Sequence, residues 1–393
     1  MSKHVKCIDK KEILILNKRY YKYIGEFMSD KEQNDIGEAL KECRDKIDSL
    51  DDELVKLLNR RANVVLEVGR IKGEKNEKFY VPSRERRVIE RLTTNNEGPF
   101  PNGALKTVIR EIMSASLSLE HPLKVAFLGP KGTFTHLAGI KHFGLSADMI
   151  PKRNITDVFD EVERGKALLG VIPIENTTEG IVTHTLDMLV STDLKIYSEI
   201  MTKISHYLLN QSGRVEDIKK IYSHPQPIAQ CKNWLMKNMP DIPLVDVDST
   251  AHAAQLACED NESAAIASEY AARVYDLNVV EERIEDHINN VTRFLVISKD
   301  YAEKTGDDKT SVMFSIKDKV GALYETLQCF REREVNMTKI ESRPSKKKAW
   351  DYIFFVDIDG HYTDPTISAA LEELREHTVE MKVLGSYPKG KLE

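Results

Sequence analysis

The 393-residue chain carries 57 Lys and Arg against 63 Asp and Glu, a formal net charge of -6. This balance gives the whole chain no electrostatic reason to bind nucleic acid or an anionic membrane, but it permits a local cationic pocket for an anionic metabolite. With 41% hydrophobic residues, the composition fits a globular chain. The length predicts about two to four domains.

The five cysteines are odd in number, lie far apart and form no CxxC pair. This pattern argues against a disulfide framework or a zinc site and favours a reducing, cytoplasmic compartment. No run of 18 apolar residues predicts a membrane span. Residues 1–36 are expected to be an N-terminal extension of unknown role, because the apolar stretch Ile13–Leu16 is too short for a signal-peptide core.

Residues 37–121 have a helical pattern. Apolar residues recur at spacings of three and four from Leu40 to Ile71, which predicts one helix of more than 30 residues. Such a length is typical of a bundle or an interlocked dimer. Two further helices are predicted near Arg84–Thr93 and Ala104–Leu119.

The rest of the chain changes pattern twice. Residues 122–300 alternate short apolar runs with helical stretches, which predicts an α/β domain with a mostly parallel sheet. A charged joint, Tyr301–Lys309, leads into residues 308–390, whose βαββαβ order predicts an α+β, ferredoxin-like unit. The fold class is therefore multidomain.

Several cations lie among the apolar positions of the helical part. Arg61 and Lys72 are eleven residues apart, which places them about 20° off a common helix face and roughly 16 Å apart along the axis. Arg44 points about 100° away from that face, so it would join them only from a second, antiparallel protomer. Ser116 and Glu120 form an i, i+4 pair on the third helix. One such cation alone is usually a solvated surface group, but the set is more telling because Arg61 is flanked by apolar residues.

Three segments carry a family resemblance: CRDKIDSLDDELVKLLNRR, which contains Arg44 and Arg61, EVGRIK, which contains Lys72, and YVPSRERR. In order and spacing they resemble the all-helical chorismate mutases over about 80 residues. The resemblance implies that Arg44 of the partner subunit and Arg61 bind the two carboxylates of chorismate. It also implies that Lys72 and Glu120 bind the ether oxygen, Glu85 binds the hydroxyl, and Arg84 and Ser116 complete the pocket. The implied reaction is a pericyclic rearrangement that needs no cofactor and no metal.

Two positions depart from the pattern of this family. Glu120 stands where some members have Gln, so it must carry a proton to donate to the ether oxygen. We therefore expect mutase activity to fall as the pH rises. Val81 stands where some members have a carboxylate, and we expect that contact to be absent.

The α/β part contains polar segments next to predicted strands. Gly129–His136 (GPKGTFTH) follows a strand and opens a helix, where backbone N–H groups favour an anion. It is neither GxGxxG nor GxxxxGK[ST], which disfavours a nicotinamide dehydrogenase or an ATPase. Glu175-Asn176 ends one strand, Ser223–Gln226 follows another, and Asn290–Phe294 begins a third. In open α/β folds, residues just outside strand ends build the pocket.

Together with Asp248–Ala254 (DSTAHAA), these segments resemble the prephenate dehydratases from residue 123 to residue 300, and Thr-Arg-Phe at 292–294 is that family's hallmark. The resemblance implies two lobes hinged like periplasmic binding proteins, with the site in the cleft. It makes Thr292 the catalytic residue that protonates the departing ring hydroxyl as water and carbon dioxide leave. The implied binding residues are Thr133, Glu175, Asn176, Ser223, Gln230, Ser249 and Arg293. His224 is an alternative acid, for which we favour a structural role.

The last unit carries two further motifs. Gly321–Tyr324 (GALY) at a helix start and Glu341–Pro344 (ESRP) at a strand end resemble the ACT domains fused to prephenate dehydratases. The resemblance implies that L-phenylalanine, not tyrosine, is an allosteric inhibitor. The implied binding residues are Gly321, Ala322, Leu323, Asn336, Glu341, Ser342, Arg343 and Pro344. A dimerisation module without ligand is the alternative.

The three resemblances together imply a bifunctional enzyme that converts chorismate to prephenate and then prephenate to phenylpyruvate, with feedback inhibition by phenylalanine. They imply a homodimer or homotetramer with no nucleic-acid or membrane partner. Three rival interpretations remain: a mutase fused to a dehydrogenase, which the missing GxGxxG disfavours, a ligand-binding regulatory protein, and an arogenate dehydratase.

Overall fold

A computed structural model of the chain describes residues 30–75, 80–317, 319–344 and 352–392. The chain divides into two units, Met1–Glu67 and Val68–Glu393. Most of the predicted extension, residues 1–36, lies outside the described residues. No helix within the described ranges is both long enough and apolar enough to cross a membrane.

The described part of the first unit consists of one helix, α1 (Asp30–Lys75), whose last residues belong to the second unit. The predicted long helix is thereby confirmed. Within the first unit, the side chains of its apolar stripe are 52% to 63% exposed. These residues are Leu40, Ile47, Leu50, Leu54, Leu57 and Val64. A stripe this apolar is typical of a helix face that packs against another apolar surface.

The second unit continues with two helices, α2 (Pro82–Thr94) and α3 (Asn102–Glu120), within two residues of the predicted bounds. Pro82 opens α2 at a position where its missing N–H costs nothing. Asn96 closes the turn between the helices, because its Nδ2 donates to Phe100 O and to Asn102 Oδ1, each at 2.7 Å.

A first sheet follows α3. Its elements in chain order are β1 (Lys124–Leu128), α4 (Phe134–Phe143), β2 (Asp148–Lys152), α5 (Ile155–Glu163), β3 (Leu169–Asn176), β4 (Gly180–Ile181), α6 (Thr183–Ser191) and β5 (Lys195–Lys203). The chain then leaves this sheet and returns to it as β11 (Val291–Ser298). The strand order is β2-β1-β3-β11-β5, with β4 paired to β3, and β11 is antiparallel to both of its neighbours.

The excursion between β5 and β11 builds a second sheet. Its elements are β6 (Tyr207–Asn210), β7 (Lys220–Ser223), α7 (Pro225–Gln230), α8 (Lys232–Asn238), β8 (Leu244–Asp246), α9 (Thr250–Glu259), β9 (Ser263–Ala267), α10 (Glu269–Tyr275) and β10 (Asn278–Glu281). The strand order is β10-β6-β9-β7-β8, with parallel and antiparallel pairs. The prediction of a mostly parallel sheet was wrong. A buried strand has the same apolar sequence pattern whether it runs parallel or antiparallel to its neighbours. The direction of β11 depends instead on where the chain re-enters the first sheet after it has formed the second.

The third sheet is formed by β12 (Asp308–Ser315), α11 (Ala322–Glu332), β13 (Met337–Pro344), β14 (Tyr352–Asp359), α12 (Pro365–His377) and β15 (Glu380–Pro388). The predicted βαββαβ order is thus observed, with strand order β13-β14-β12-β15 and antiparallel pairing throughout. One apolar cluster of this unit contains Val312, Phe314, Phe330 and Leu374. The opposite face of the sheet contributes Met313, Phe355, Leu384 and Tyr387 to the core of the first sheet.

Candidate active site

A cleft that encloses about 630 Å³ is lined by residues of both the first and the second sheet and their helices. Three residues that cap helices face it: Thr133 before α4, His224 before α7 and Ser249 before α9. Each side chain accepts a hydrogen bond from a backbone N–H in the first turn of its own helix. Helix N-termini carry partial positive charge, which favours an anion at these three points of the cleft. The capping bond of His224 supports the structural role that we favoured for it.

Asn176 and Thr292 face each other across β3 and β11, where they are directly paired. Asn176 Nδ2 donates to Thr292 Oγ1 at 2.7 Å. The orientation of the Asn176 amide is fixed, because its Oδ1 accepts from the backbone N–H groups of Thr178 and Glu179. Thr292 Oγ1 therefore acts as an acceptor toward Asn176, and its own proton is available to a second partner.

A chain of side-chain amides extends from this pair to the second sheet. Asn176 Nδ2 also donates to Asn290 Oδ1 at 2.7 Å, and Asn290 Nδ2 donates to Gln230 Oε1 at 3.1 Å. Gln230 Nε2 donates to Glu179 Oε1 at 3.0 Å. Gln230 Oε1 thus accepts a second bond, from His206 Nε2 at 2.8 Å. The predicted residues Asn176, Gln230 and Thr292 are brought together in one network.

His206 lines the cleft and was not identified from the sequence. Burial lowers the pKa of His206, although the Gln230 bond and the nearby charge of Glu285 act in the opposite direction. The ring is therefore neutral at pH 7, with its proton on Nε2, the atom that donates to Gln230. A single His in an apolar strand segment is usually a core residue, so the sequence carried no signal for it.

Arg153 also lines the cleft and was not identified from the sequence. It is the one Arg or Lys among the described residues that line the cleft, and its side chain is exposed. It lies just before α5, in a polar segment that resembles an ordinary helix start. An arginine at this point can bind a carboxylate with two parallel hydrogen bonds.

Three predicted binding residues are not among the residues that line the cleft: Glu175, Ser223 and Arg293. Because side chains alternate along a strand, Glu175 and Arg293 point to the face opposite Asn176 and Thr292. Ser223 is fully buried and donates to Ile266 O at 2.8 Å. In this structure the three residues therefore lie outside the lining of the cleft, and their role in substrate binding stays a prediction.

On that opposite face, Arg293 contacts the third sheet. Its Nε donates to Glu199 Oε2 at 2.7 Å, a second nitrogen pairs with Asp357 Oδ2 at 2.7 Å, and a third donates to Tyr387 OH at 3.0 Å. Burial alone would lower the pKa of Arg293, but the nearby Tyr387, Asp357 and Glu199 outweigh it and raise the pKa. Arg293 is therefore a permanently charged, buried residue.

The helical part of the second unit holds five of the predicted mutase residues. Lys72 Nζ lies 3.5 Å from Glu120 Oε2, and Gly69 packs so closely on Glu120 that an added Cβ would lie 3.2 Å from Glu120 Cγ. Ser116 is buried and donates to Ile112 O at 2.6 Å. Glu85 lies 3.8 Å from Arg110 Nε, and Arg84 is exposed. Arg44 and Arg61 belong to the first unit, where both are exposed.

The predicted phenylalanine motifs lie at the start of α11 and on β13. Gly321 precedes α11 with φ +81°, a conformation that disfavours residues with a Cβ. Ala322 is buried and Leu323 half-buried. Asn336 Nδ2 donates to Asp359 Oδ2 at 2.8 Å, and Arg343 pairs with Asp187 of α6 at 3.3 Å. Glu341, Ser342 and Pro344 share β13, an edge strand of the described sheet.

Three family models match consecutive parts of the chain: chorismate mutase type II at residues 43–121, prephenate dehydratase at 125–302 and the ACT domain at 310–376. A bifunctional chorismate mutase/prephenate dehydratase from Aquifex aeolicus is 49% identical over 360 residues, covering 91% of this chain and 99% of the relative. The chain belongs to the bifunctional chorismate mutase/prephenate dehydratase family. It has chorismate mutase and prephenate dehydratase activities, and it acts in phenylalanine biosynthesis. The predicted family is thus confirmed.

Other relatives agree with this assignment to the chorismate mutase/prephenate dehydratase family. A family member from Pseudomonas aeruginosa is 44% identical over 371 residues, 93% of this chain and 100% of the relative. The crystal structure of prephenate dehydratase from Arthrobacter aurescens in complex with L-Phe is 37% identical and covers 68% of this chain and 90% of that chain. Its TM-score of 0.63 supports the α/β and ACT parts of the fold.

Proposed function

We propose that Thr292 is the proton donor for prephenate dehydration in the cleft formed by residues 122–300. The hydrogen bond from Asn176 Nδ2 to Thr292 Oγ1 carries this proposal. Because Oγ1 accepts from Asn176, the Thr292 hydroxyl is oriented to donate to the departing ring hydroxyl of prephenate. Negative charge develops on Oγ1 as the proton moves, and the Asn176 N–H is already placed to stabilise it.

The same cleft fits the rest of the substrate. Prephenate carries two carboxylates, one of which leaves as carbon dioxide. Arg153 and the helix N-termini at Thr133 and Ser249 supply positive potential for the carboxylate that is retained. Apolar residues of the cleft, including Phe134 and Phe294, offer a weakly solvating surface, which favours loss of the other carboxylate. Two lobes hinged like periplasmic binding proteins would close over the substrate.

For the mutase, residues 37–121 form the proposed domain, with Arg61, Lys72, Arg84, Glu85, Ser116 and Glu120 as its site residues. Arg44 of the partner subunit would complete each site. The exposed apolar stripe of α1 supports pairing with a second copy of the chain, as a homodimer or within a homotetramer. Lys72 Nζ lies 3.5 Å from Glu120 Oε2, so the two side chains are close enough to act on the same ether oxygen.

Regulation is proposed for residues 308–390, a ferredoxin-like ACT unit that binds L-phenylalanine through the motifs at Gly321 and Glu341–Pro344. The complex of the Arthrobacter aurescens relative with L-Phe supports this ligand. Phenylalanine that binds one arrangement more tightly would inhibit by shifting the protein toward it. The cytoplasmic location stays a prediction.

The test compares Thr292→Val with Thr292→Ser in an assay of phenylpyruvate formation from prephenate. The Val variant keeps the shape of Thr292 but has no hydroxyl, so we expect its kcat to fall about 10²- to 10⁴-fold. The Ser variant should keep most of the rate, and both should keep full mutase activity. A Val variant with near-normal kcat would contradict the proposal, and loss of dehydratase activity in His224→Ala beside it would make His224 the acid.

A further inference from the structure

Thr292 and Asn176 each have a charged residue next to them in the chain. The side chain of that neighbour points to the other face of the sheet. On β11, Thr292 is followed by Arg293; on β3, Asn176 is preceded by Glu175. Arg293 and Glu175 are themselves directly paired, one register step from the pair of Thr292 and Asn176. A shift of either charged residue therefore moves a catalytic neighbour through a single peptide unit.

The third sheet holds Arg293 firmly. Asp357 of β14 and Tyr387 of β15 each bind one terminal nitrogen of its guanidinium group, while Glu199 of β5 binds Nε. Arg293 is 8% exposed and Tyr387 is fully buried. Glu175 Oε2 lies 4.0 Å from the guanidinium as a fourth neighbour. A planar guanidinium with this many separate partners has its position and orientation fixed.

The partners of Arg293 are fixed in turn. Ser311 Oγ donates to Asp357 Oδ1 and lies 2.6 Å from Tyr387 OH, and Lys309 Nζ donates to both carboxylate oxygens of Glu199. The backbone of β15 lies against β5, because a Cβ at Gly385 would collide with the backbone of Ile196. The third sheet is thus in close contact with the first sheet at the level of Arg293.

We propose that Asp357 and Tyr387 are positioning residues for prephenate dehydration: acting through Arg293, they hold Thr292 at the place from which it donates its proton. This inference rests on the proposed role of Thr292. It makes the C-terminal sheet a part of the catalytic framework of the dehydratase even when no phenylalanine is bound. A displacement of about 1 Å in a catalytic group can reduce the rate about 10²-fold, so modest loosening of Arg293 is sufficient for a large effect.

The experiment uses the full chain with Asp357→Asn and, separately, Tyr387→Phe, and measures kcat and KM for prephenate without phenylalanine. We expect kcat to fall about 10- to 100-fold in Asp357→Asn and less in Tyr387→Phe, with KM within about threefold of the wild type. Mutase activity should be unchanged, which shows that the chain is folded. Asp307→Asn is the matched control, because it removes a 2.7 Å pair with Arg86 in which the Asp307 side chain is 48% exposed.

A double-mutant cycle separates positioning from a general structural role. In a Thr292→Val background, Asp357→Asn should cause no further loss of the residual dehydratase rate, because the group that it positions is gone. Additive losses, kcat within threefold of the wild type in both single variants, or loss of mutase activity together with dehydratase activity would each overturn the inference. A Thr292→Val variant that keeps its kcat would instead reject the proposed function itself.

Discussion

Asn176 Nδ2 lies 2.7 Å from Thr292 Oγ1, and the two residues are directly paired on adjacent antiparallel strands. Both protons of the Asn176 amide are donated, one to Thr292 and one to Asn290, and its oxygen accepts from two backbone N–H groups. Such a residue cannot rotate without losing several bonds. The direction of the Thr292 hydroxyl is therefore set by the fold before substrate binds.

This relationship predicts that Asn176→Asp inactivates the dehydratase. The carboxylate would accept from the Thr292 hydroxyl instead of donating to it, and its charge would oppose negative charge on Oγ1. We expect kcat for prephenate to fall about 10²- to 10³-fold, measured as phenylpyruvate formation. Asn238→Asp, on the exposed surface of α8, is the matched control and should be normal. A normal kcat in Asn176→Asp would show that the Asn176 amide does not need to orient the Thr292 hydroxyl.

Arg153 is expected to act mainly in substrate binding. Arg153→Gln removes the one Arg or Lys that the described residues place in the cleft, so KM for prephenate should rise about 10- to 100-fold with a smaller change in kcat. Arg153→Lys should recover only part of this, because lysine cannot bind a carboxylate in a two-point fork. Arg164→Gln, which removes a largely exposed pair with Asp160, is the control. An unchanged KM in Arg153→Gln would show that the carboxylates bind elsewhere.

The mutase should depend on the protonation of Glu120. Lys72 already lies 3.5 Å away and can donate to the ether oxygen, whereas Glu120 can donate only when it carries a proton. Prephenate formation by the wild type should therefore fall as the pH rises, and Glu120→Gln should keep its activity at high pH. The measurement is kcat/KM for chorismate across pH in both proteins. Identical profiles would reject this role for Glu120.

The environment of His136 predicts that the stability of the fold depends on pH. Its Nδ1 accepts from the Gly132 N–H at 3.0 Å and its ring stacks on Phe127. Burial first, and then the charge of Lys131, lower the pKa of His136 from 6.5 to about 4. A histidine with a lowered pKa contributes stability that is fully present above pH 6.5 and is lost as the pH falls toward 4, because the unfolded chain binds the proton first.

Replacing His136 with Asn keeps an acceptor for the Gly132 N–H but removes the titrating ring. The lowered pKa of His136 corresponds to a change of at most about 3 kcal/mol in the free energy of unfolding between pH 6.5 and pH 4. The variant should be less stable than the wild type at pH 7, and the difference should shrink as the pH falls to 4.5. Denaturant unfolding of both proteins at several pH values measures this difference in stability. A stability difference between the wild type and the variant that stays constant with pH would contradict the lowered pKa of His136.

The sequence by itself predicted most of the secondary structure and several members of the site. The long helix α1 and the βαββαβ order of the last sheet follow from apolar spacing, because these elements bury one face and need the matching period. Thr292, Asn176 and Gln230 were found through motifs at strand ends, which concentrate polar residues where a cleft forms.

Only the tertiary structure decided which face each of these residues occupies. Arg293 stands in the same motif as Thr292, yet alternation along β11 directs it to Asp357 and Tyr387, more than 60 residues further along the chain. His206 and Arg153 carry no local signal, and they line the cleft because the second sheet and the start of α5 bring them there. Spacing along one strand fixes relative directions, but the absolute face depends on what packs against it, and that depends on contacts between distant segments.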